Sequence, residues 1–190
     1  ALARLRKEDA EIKWRGDMLI IPLRDAQSGA LVGLEGIPAQ AGADKYLLTG
    51  SRKTGAVTAI GELTDAEVVY IGEGWADTAS AVEVMGGAGI VAHGAGGMEP
   101  AARYAVAQNG RAQVIIIADN DADKGDNLGL TAATSAARSI SGWLAVPHLG
   151  DGVKADLSAL YLYSGRDAVA RCIDAAQYMG ADENSREKEE

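Results

Sequence analysis

Acidic residues follow two strongly apolar runs of the chain. Glu73 comes just after the run 68–71, and Asp119 and Asp121 come just after the run 114–118. Carboxylates gathered at one place repel each other, so such clustering is costly unless a cation offsets the charge. Oxygen ligands without His or Cys favour a hard ion. The sequence therefore predicts a site for Mg²⁺ or Mn²⁺, provided that the fold brings the two groups together.

The elements that must position these carboxylates alternate between strand and helix patterns from residue 68 onward. Short apolar runs predict four strands, at 68–71, 89–93, 114–118 and 143–146. The segments between them predict helices at 75–85, 98–108 and 128–140, and a further helix is expected to start near Ser164. This repetition is typical of an α/β fold, here a parallel four-stranded sheet with helices on both faces. The carboxyl ends of parallel strands meet at one edge, where ligands bind.

Local spacing supports a shared site. Asp119 and Asp121 are separated by one residue, so both can turn toward one ion while Asn120 points away. Gly74 opens a predicted helix whose N–H groups favour an anion such as phosphate. A lone Asp-x-Asp is more often a turn or a helix cap, and it is the pairing with Glu73 that favours a metal site.

The first part of the chain has a different pattern and a different charge. Short strand-like runs with turns predict a strand-rich subdomain over 1–64, before an α/β domain over 65–180 and a polar tail over 181–190. The net charge is −9, but residues 1–60 carry nine of the 18 Lys and Arg against seven of the 27 Asp and Glu. The overall negative charge argues against binding of nucleic acid. The basic first part of the chain, and cations bound at the acidic site, argue for it.

Three general features of the sequence bear on disulfides, on membrane association and on the extent of the chain. Cys172 is the one cysteine, which excludes a disulfide framework within the chain. No apolar run reaches the length of a membrane span, so we expect no membrane partner and a cytoplasmic location. The sequence lacks an initiating Met, so we expect a piece of a longer protein.

The order of elements, with Glu73-Gly at one strand end and Asp119-x-Asp121 at another, resembles the Toprim domain of bacterial-type primases, topoisomerases and certain nucleases. The primase branch is the most similar. Glu73-Gly-Trp-Ala-Asp77 resembles the primase pattern Glu-Gly-Tyr-x-Asp, and Lys45-Tyr-Leu resembles a motif upstream of it. Asp119-Asn-Asp121 with Gly129 and Ala132-Ala is similar to primase-helicases of phages, plasmids and integrated elements.

The resemblance implies a DNA primase that uses Mg²⁺ or Mn²⁺, nucleoside triphosphates and a single-stranded DNA template, with a replicative helicase that is fused or separate. It implies that Glu73 ligates metal or acts as the catalytic base, and that the other metal-site acids are Asp119, Asp121, Asp77, Asp156 and Asp123. Template or triphosphate would contact Lys45, Arg52, Lys53 and Gly74. One departure concerns the motif Asp-Phe-Asn-Asp-Leu, whose second acid is replaced here by Ala159.

Two alternatives remain open at this point. One is a nuclease or topoisomerase-type phosphoryl transferase with the same Toprim domain, although Lys45-Tyr-Leu favours a primase. The other is a non-catalytic nucleic-acid-binding replication domain, which the loss of an acid at Ala159 favours.

Overall fold

The computed structural model describes residues 11–40, 42–121 and 126–180. The described helices are α1 (Trp75–Met85), α2 (Met98–Gln108), α3 (Leu128–Ser139), α4 (Leu157–Ser164) and α5 (Arg166–Asp174). The described strands are β1 (Lys13–Arg15), β2 (Met18–Asp25), β3 (Leu31–Pro38), β4 (Tyr46–Leu47), β5 (Ala56–Ile60), β6 (Val68–Gly72), β7 (Ala88–Val91), β8 (Gln113–Ile117), β9 (Trp143–Ala145) and β10 (Gln177–Tyr178). Within this part of the chain, no helix has the length and apolar character needed to cross a bilayer.

The predicted parallel core is confirmed. Strands β9, β8, β6 and β7 lie side by side in that order, and each neighbouring pair is parallel. Alternate side chains of β6 and β8 point to opposite sides: Val69 and Ile116 pack with α2 and α3, whereas Tyr70 and Ile117 pack with α1, α4 and α5. Because both faces are covered, β8 is a continuous apolar run.

The strand-rich N-terminal part extends the same sheet. Strand β5 pairs antiparallel with β7 through Thr58 and Val91, and it pairs with β2 through Val57 and Arg24. Strands β3 and β4 follow β2 toward the outer edge, and β1 pairs with the first residues of β2. Strand β5 is therefore the connection through which the N-terminal strands reach the parallel core.

The C-terminal part differs from the sequence prediction. A helix does start near Ser164, as α5; Gly165 precedes it, and no side chain of the described residues caps it. A second helix, α4, was missed. It begins after Asp156, whose carboxylate accepts the N–H of Ala159 at 2.7 Å, and it ends at Gly165, which has a φ of 77°. A positive φ is easily adopted by glycine, so the chain can change direction between two helices.

Candidate active site

A single cleft at the carboxyl edge of the parallel strands collects most of the predicted site. Its acidic half holds four carboxylates, and its basic half holds two ammonium groups and a fifth carboxylate: Glu73, Asp77, Asp119 and Asp156, and Lys45, Lys53 and Glu35. Glu73 follows β6, Asp119 follows β8, and Asp77 lies in the first turn of α1. Gly74 also lines the cleft, at the start of α1. Topology thus brings together residues that are 111 positions apart, such as Lys45 and Asp156.

Two predicted site residues lie outside this cleft. Asp121 is not among the residues that line the cleft, and its Oδ1 lies 3.1 Å from Lys154 Nζ. Arg52 is turned toward Asp25, with 2.6 Å between Nη2 and Oδ2. Asp123 lies outside the described residues.

Asp119 is the carboxylate most affected by this environment. Burial, and then the charges of Asp77, Glu73 and Asp156, raise the pKa of Asp119 to about 7, although Lys154 opposes the rise. Its Oδ1 is buried and accepts no hydrogen bond from the part of the chain that the structure describes. Asp119 therefore presents an oxygen that a cation would stabilise strongly.

Asp77 and Asp156 are both bound to the start of α4. Asp77 Oδ1 accepts the N–H of Ser158 at 3.0 Å, and Asp156 Oδ1 accepts the N–H of Ala159 at 2.7 Å. Burial raises the pKa of Asp77 to about 6, with Asp156 adding to the rise and the Ser158 N–H opposing it. The helix N-terminus offsets part of the negative charge of the cleft, so both acids also have a structural role.

An asparagine pair that the sequence analysis missed holds the loop between Asp119 and Asp121. Asn120 is buried and does point away from the cleft; its Nδ2 donates to the carbonyl of Pro147 at 3.1 Å, and its Oδ1 accepts from Asn127 Nδ2 at 2.8 Å. Asn127 Oδ1 in turn accepts the N–H of Asp121 at 3.2 Å. Asn127 is also the N-cap of α3, and an Asn at a helix start was the signal that could have identified it.

Lys154 was also missed. It follows β9 at a distance in sequence from the acids that it contacts, and its hydrogen bond to Asp121 raises the pKa of its own ammonium group. The charges of Asp119 and Asp156 act in the same direction. A lysine therefore supplies part of the positive charge that the acidic loop needs.

Both lysines of the cleft lie near carboxylates. Lys53 Nζ lies 2.6 Å from Glu35 Oε1. A methyl group added at Gly74 would lie 3.1 Å from Asp77 Oδ2 and 3.9 Å from Lys45 Nζ, so glycine at this position allows the approach of both side chains. The cleft can therefore bind a ligand that carries both phosphate groups and a cation.

The residues present fit a divalent cation at Asp119. In residues 11–40, 42–121 and 126–180, no three His, Cys, Asp or Glu side chains converge closely enough to hold an ion between them. The buried Oδ1 of Asp119, which accepts no hydrogen bond from the described residues, and the neighbouring Glu73 nonetheless supply hard oxygen ligands. A cation that is ligated here would retain water or take phosphate oxygens as its remaining ligands, as Mg²⁺ commonly does.

Replacing Gly129 by alanine tests how tightly Asp119 is held. A Cβ at Gly129 of α3 would lie 2.6 Å from the carbonyl oxygen of Asp119 and 2.9 Å from its Cβ. Alanine favours a helix by about 1 kcal/mol over glycine, but overpacking costs about 1–3 kcal/mol, so we expect a net loss of stability. The thermal unfolding temperature should fall, and the Mg²⁺ midpoint, the Mg²⁺ concentration at half-maximal stabilisation, should rise.

The matched control for this substitution is Gly96→Ala, because a methyl group there meets nothing within 4 Å. An unchanged Mg²⁺ midpoint in Gly129→Ala, together with wild-type stability, would contradict the close contact between α3 and Asp119.

Comparison with solved structures places the fold among primase catalytic cores. The DnaG catalytic core is 16% identical with a TM-score of 0.57, and the match covers 86% of this chain and 54% of that one. A DnaG primase catalytic domain bound to single-stranded DNA is 17% identical with a TM-score of 0.55, covering 86% and 53%. The RNA polymerase domain of Mycobacterium tuberculosis DnaG, bound to double-stranded DNA with an overhang, is 17% identical with a TM-score of 0.54, covering 90% and 60%.

The chain thus spans between about half and three fifths of these structures, and at such low identity they show a shared fold. No curated protein matches the sequence. The Toprim domain model matches residues 68–167, which is just over half of the chain and includes Glu73, Asp119 and Asp156. The chain therefore belongs to the Toprim domain family.

Proposed function

We propose that this Toprim domain is the catalytic part of a DNA primase, which joins nucleotides on a single-stranded DNA template. The observation that carries the proposal is the cleft that Glu73, Asp77, Asp119 and Asp156 line together with Lys45 and Lys53. Transfer of a nucleotide to a 3′-hydroxyl needs both halves of the cleft. Carboxylates hold the metal and act as the base, and lysines bind the phosphate groups. The shared fold with DnaG cores supports the same conclusion.

Each half of the cleft has a role in this reaction. Glu73 takes the proton from the 3′-hydroxyl of the growing strand, whose oxygen attacks the α-phosphorus of the incoming nucleoside triphosphate while pyrophosphate leaves. Lys45, Lys53 and the uncapped N-terminus of α1 at Gly74 bind the triphosphate oxygens. Asp119 and Glu73 would hold Mg²⁺ or Mn²⁺, which neutralises phosphate charge and lowers the pKa of the attacking hydroxyl.

The wider setting is also a proposal. The Asp119-Asn-Asp121, Gly129 and Ala132-Ala pattern resembles primase-helicases of phages, plasmids and integrated elements, so we propose replication of a mobile element, with a helicase that is fused or separate. Asp121 is bound to Lys154, and in this proposal it shapes the loop and does not ligate the ion directly. Arg52, which is paired with Asp25, is not assigned to the cleft.

Primer synthesis by the full-length protein, measured on single-stranded DNA, tests the function. We expect Glu73→Gln to lower product formation by at least about 100-fold, because general base catalysis typically contributes that much. Glu99→Gln is the matched control, since Glu99 forms an exposed ion pair with Arg103 on α2 and such pairs contribute little. Equal primer formation by wild type and Glu73→Gln would refute the assignment, and DNA cleavage without extension would indicate a nuclease.

A non-catalytic nucleic-acid-binding domain is the second candidate. The ion pair between Lys154 and Asp121 favours it, because a lysine already neutralises one of the acids that the sequence assigned to metal. Binding of single-stranded DNA with no product under any Mg²⁺ or Mn²⁺ concentration would support this alternative.

A further inference from the structure

A buried polar network lies where the N-terminal strands join the parallel core. Strand β5 pairs with β2 only at its first two residues and then pairs with β7. Three polar side chains are buried at this junction, Glu35 of β3, Thr58 of β5 and His93 after β7, with exposed fractions of 3%, 2% and 8%. Burying such groups is costly unless each is bonded, so their partners are informative.

The three side chains contact one another in series. Thr58 Oγ1 donates to the carbonyl of Pro22 at 2.5 Å and lies 2.8 Å from His93 Nε2. His93 Nδ1 lies 3.3 Å from Glu35 Oε2. The other oxygen of Glu35, Oε1, lies 2.6 Å from Lys53 Nζ. Glu35 therefore contacts the buried His93 ring with one oxygen and the partly exposed Lys53 ammonium group with the other.

Both ends of this network reach residues that line the cleft. His93 has a φ of 58°, which is unfavourable for a residue with a side chain and is maintained here by bonds to both ring nitrogens. The next residue, Gly94, donates its N–H to the carbonyl of Glu73 at 3.2 Å. Lys53, at the other end of the network, also lines the cleft. One buried carboxylate thus connects the lysine with the turn that contacts the Glu73 backbone.

The neighbouring residue shows that the loop alone does not direct Lys53. Arg52 precedes Lys53 and turns away to Asp25, at the same bond length of 2.6 Å. Asp25 is on the hairpin between β2 and β3, whereas Glu35 is inside the junction. Burial raises the pKa of Glu35, but hydrogen bonds from His93 and Lys53 and the Lys53 charge lower it to about 2, so the carboxylate stays charged.

We propose that Glu35 is a positioning residue that directs the Lys53 ammonium group into the cleft, where it binds the triphosphate of the incoming nucleotide. This inference rests on the proposed function for the identity of the ligand. A purely structural role would be fulfilled by the contact with His93 alone. The contact with Lys53, whose side chain is 41% exposed, adds little to packing but determines where a positive charge lies.

Binding of a fluorescent nucleoside triphosphate analogue to the whole chain, with Mg²⁺ present, tests the proposal. We expect Lys53→Met to weaken binding about tenfold, as the loss of one charged hydrogen bond does, and Glu35→Gln to weaken it several-fold. The double substitution should bind no more weakly than Lys53→Met alone, because Glu35 acts through Lys53. Asp25→Asn, which removes the ion pair of Arg52 in the same loop, should bind as wild type does.

Fully additive losses in Glu35→Gln and Lys53→Met would overturn the proposal, and so would an unchanged affinity in Glu35→Gln. If the wild type binds no triphosphate, that result contradicts the proposed function and not the positioning of Lys53 by Glu35. In that case, the mobility of the lysine side chains, measured by nuclear magnetic resonance on protein with methylated lysines, still tests whether Glu35 positions Lys53. Lys53 should be more restricted than Lys45 in the wild-type protein, a measurement that holds even if Glu35→Gln does not fold. Equal mobility of the two lysines would overturn it.

Discussion

Asp119→Asn is expected to abolish primer synthesis and at the same time to make the metal-free protein more stable. Asparagine keeps the shape of the side chain but removes the charge, so ligation of a cation is lost and product should fall by at least about 100-fold. Stability should rise because burial and the charges of Asp77, Glu73 and Asp156 disfavour the Asp119 carboxylate. We expect a gain of about 1–2 kcal/mol at pH 8, after allowance for solvent screening.

The pH dependence follows from the direction of the pKa shift. The pKa of folded Asp119 is about 7, so it keeps its proton up to that pH, whereas in the unfolded chain it loses the proton near its usual pKa of 3.8. The folded state therefore binds more protons between these values, and its stability falls as the pH rises through them. Asp77, with a pKa of about 6, contributes with the same sign, whereas Glu35, with a pKa of about 2, loses its contribution only as the pH falls below about 4.5.

Thermal unfolding in a chelator at pH 5 and at pH 8 measures this effect. The wild type should be less stable at pH 8, and Asp119→Asn should show a smaller difference. Mg²⁺ or Mn²⁺ should restore stability to the wild type and have little effect on Asp119→Asn. Asp126→Asn, an exposed acid of the same region, is the control and should respond to metal as the wild type does. Equal stabilisation of Asp119→Asn and wild type by metal would contradict the ligand role.

Strand ends were predictable because they depend on local pattern and on simple topology. The run before Asp119 is continuous and β-branched, which identifies a central parallel strand, and the run before Glu73 identifies a second. Parallel strands bring their carboxyl ends together, so the meeting of Glu73 and Asp119 in one cleft follows from the order of elements.

Pairing between distant side chains was not predictable in this way. Whether Asp121 turns to an ion or to Lys154 depends on the path of the chain after β9, which no periodicity encodes. Glu35 and His93 are 58 residues apart and meet only because β5 joins both groups of strands. Helix α4 was missed because its short apolar sequence has no polar face to give a helical period.

Asn120→Ala is expected to have the second large effect, although it changes no charged group. The substitution removes the bonds to the Pro147 carbonyl and to Asn127, and it leaves both of those buried or half-buried groups without this partner. Unpaired groups of this kind cost about 1–3 kcal/mol each, so we expect a loss of about 2–4 kcal/mol. For a domain of this size, the unfolding temperature should fall by roughly 4–16 °C.

The same substitution should also weaken the response to metal. Asn120 lies between Asp119 and Asp121, and its side chain holds the loop against the turn after β9, so its loss frees the Asp119 backbone to move. The Mg²⁺ concentration at half-maximal stabilisation should rise several-fold. When the Asp119 carboxylate must first be ordered to bind the ion, the affinity for the ion is lower.

Asn109→Ala separates this effect from a general loss of stability. Asn109 Nδ2 donates to the carbonyls of Leu63 and Ala66 at 3.0 and 2.9 Å, at the end of α2, and Asn109 does not line the cleft. Its loss should lower the unfolding temperature by a similar amount and leave the Mg²⁺ midpoint unchanged. If Asn120→Ala and Asn109→Ala shift that midpoint equally, metal affinity follows overall stability. If only Asn120→Ala shifts it, the asparagine pair holds the metal ligand in position.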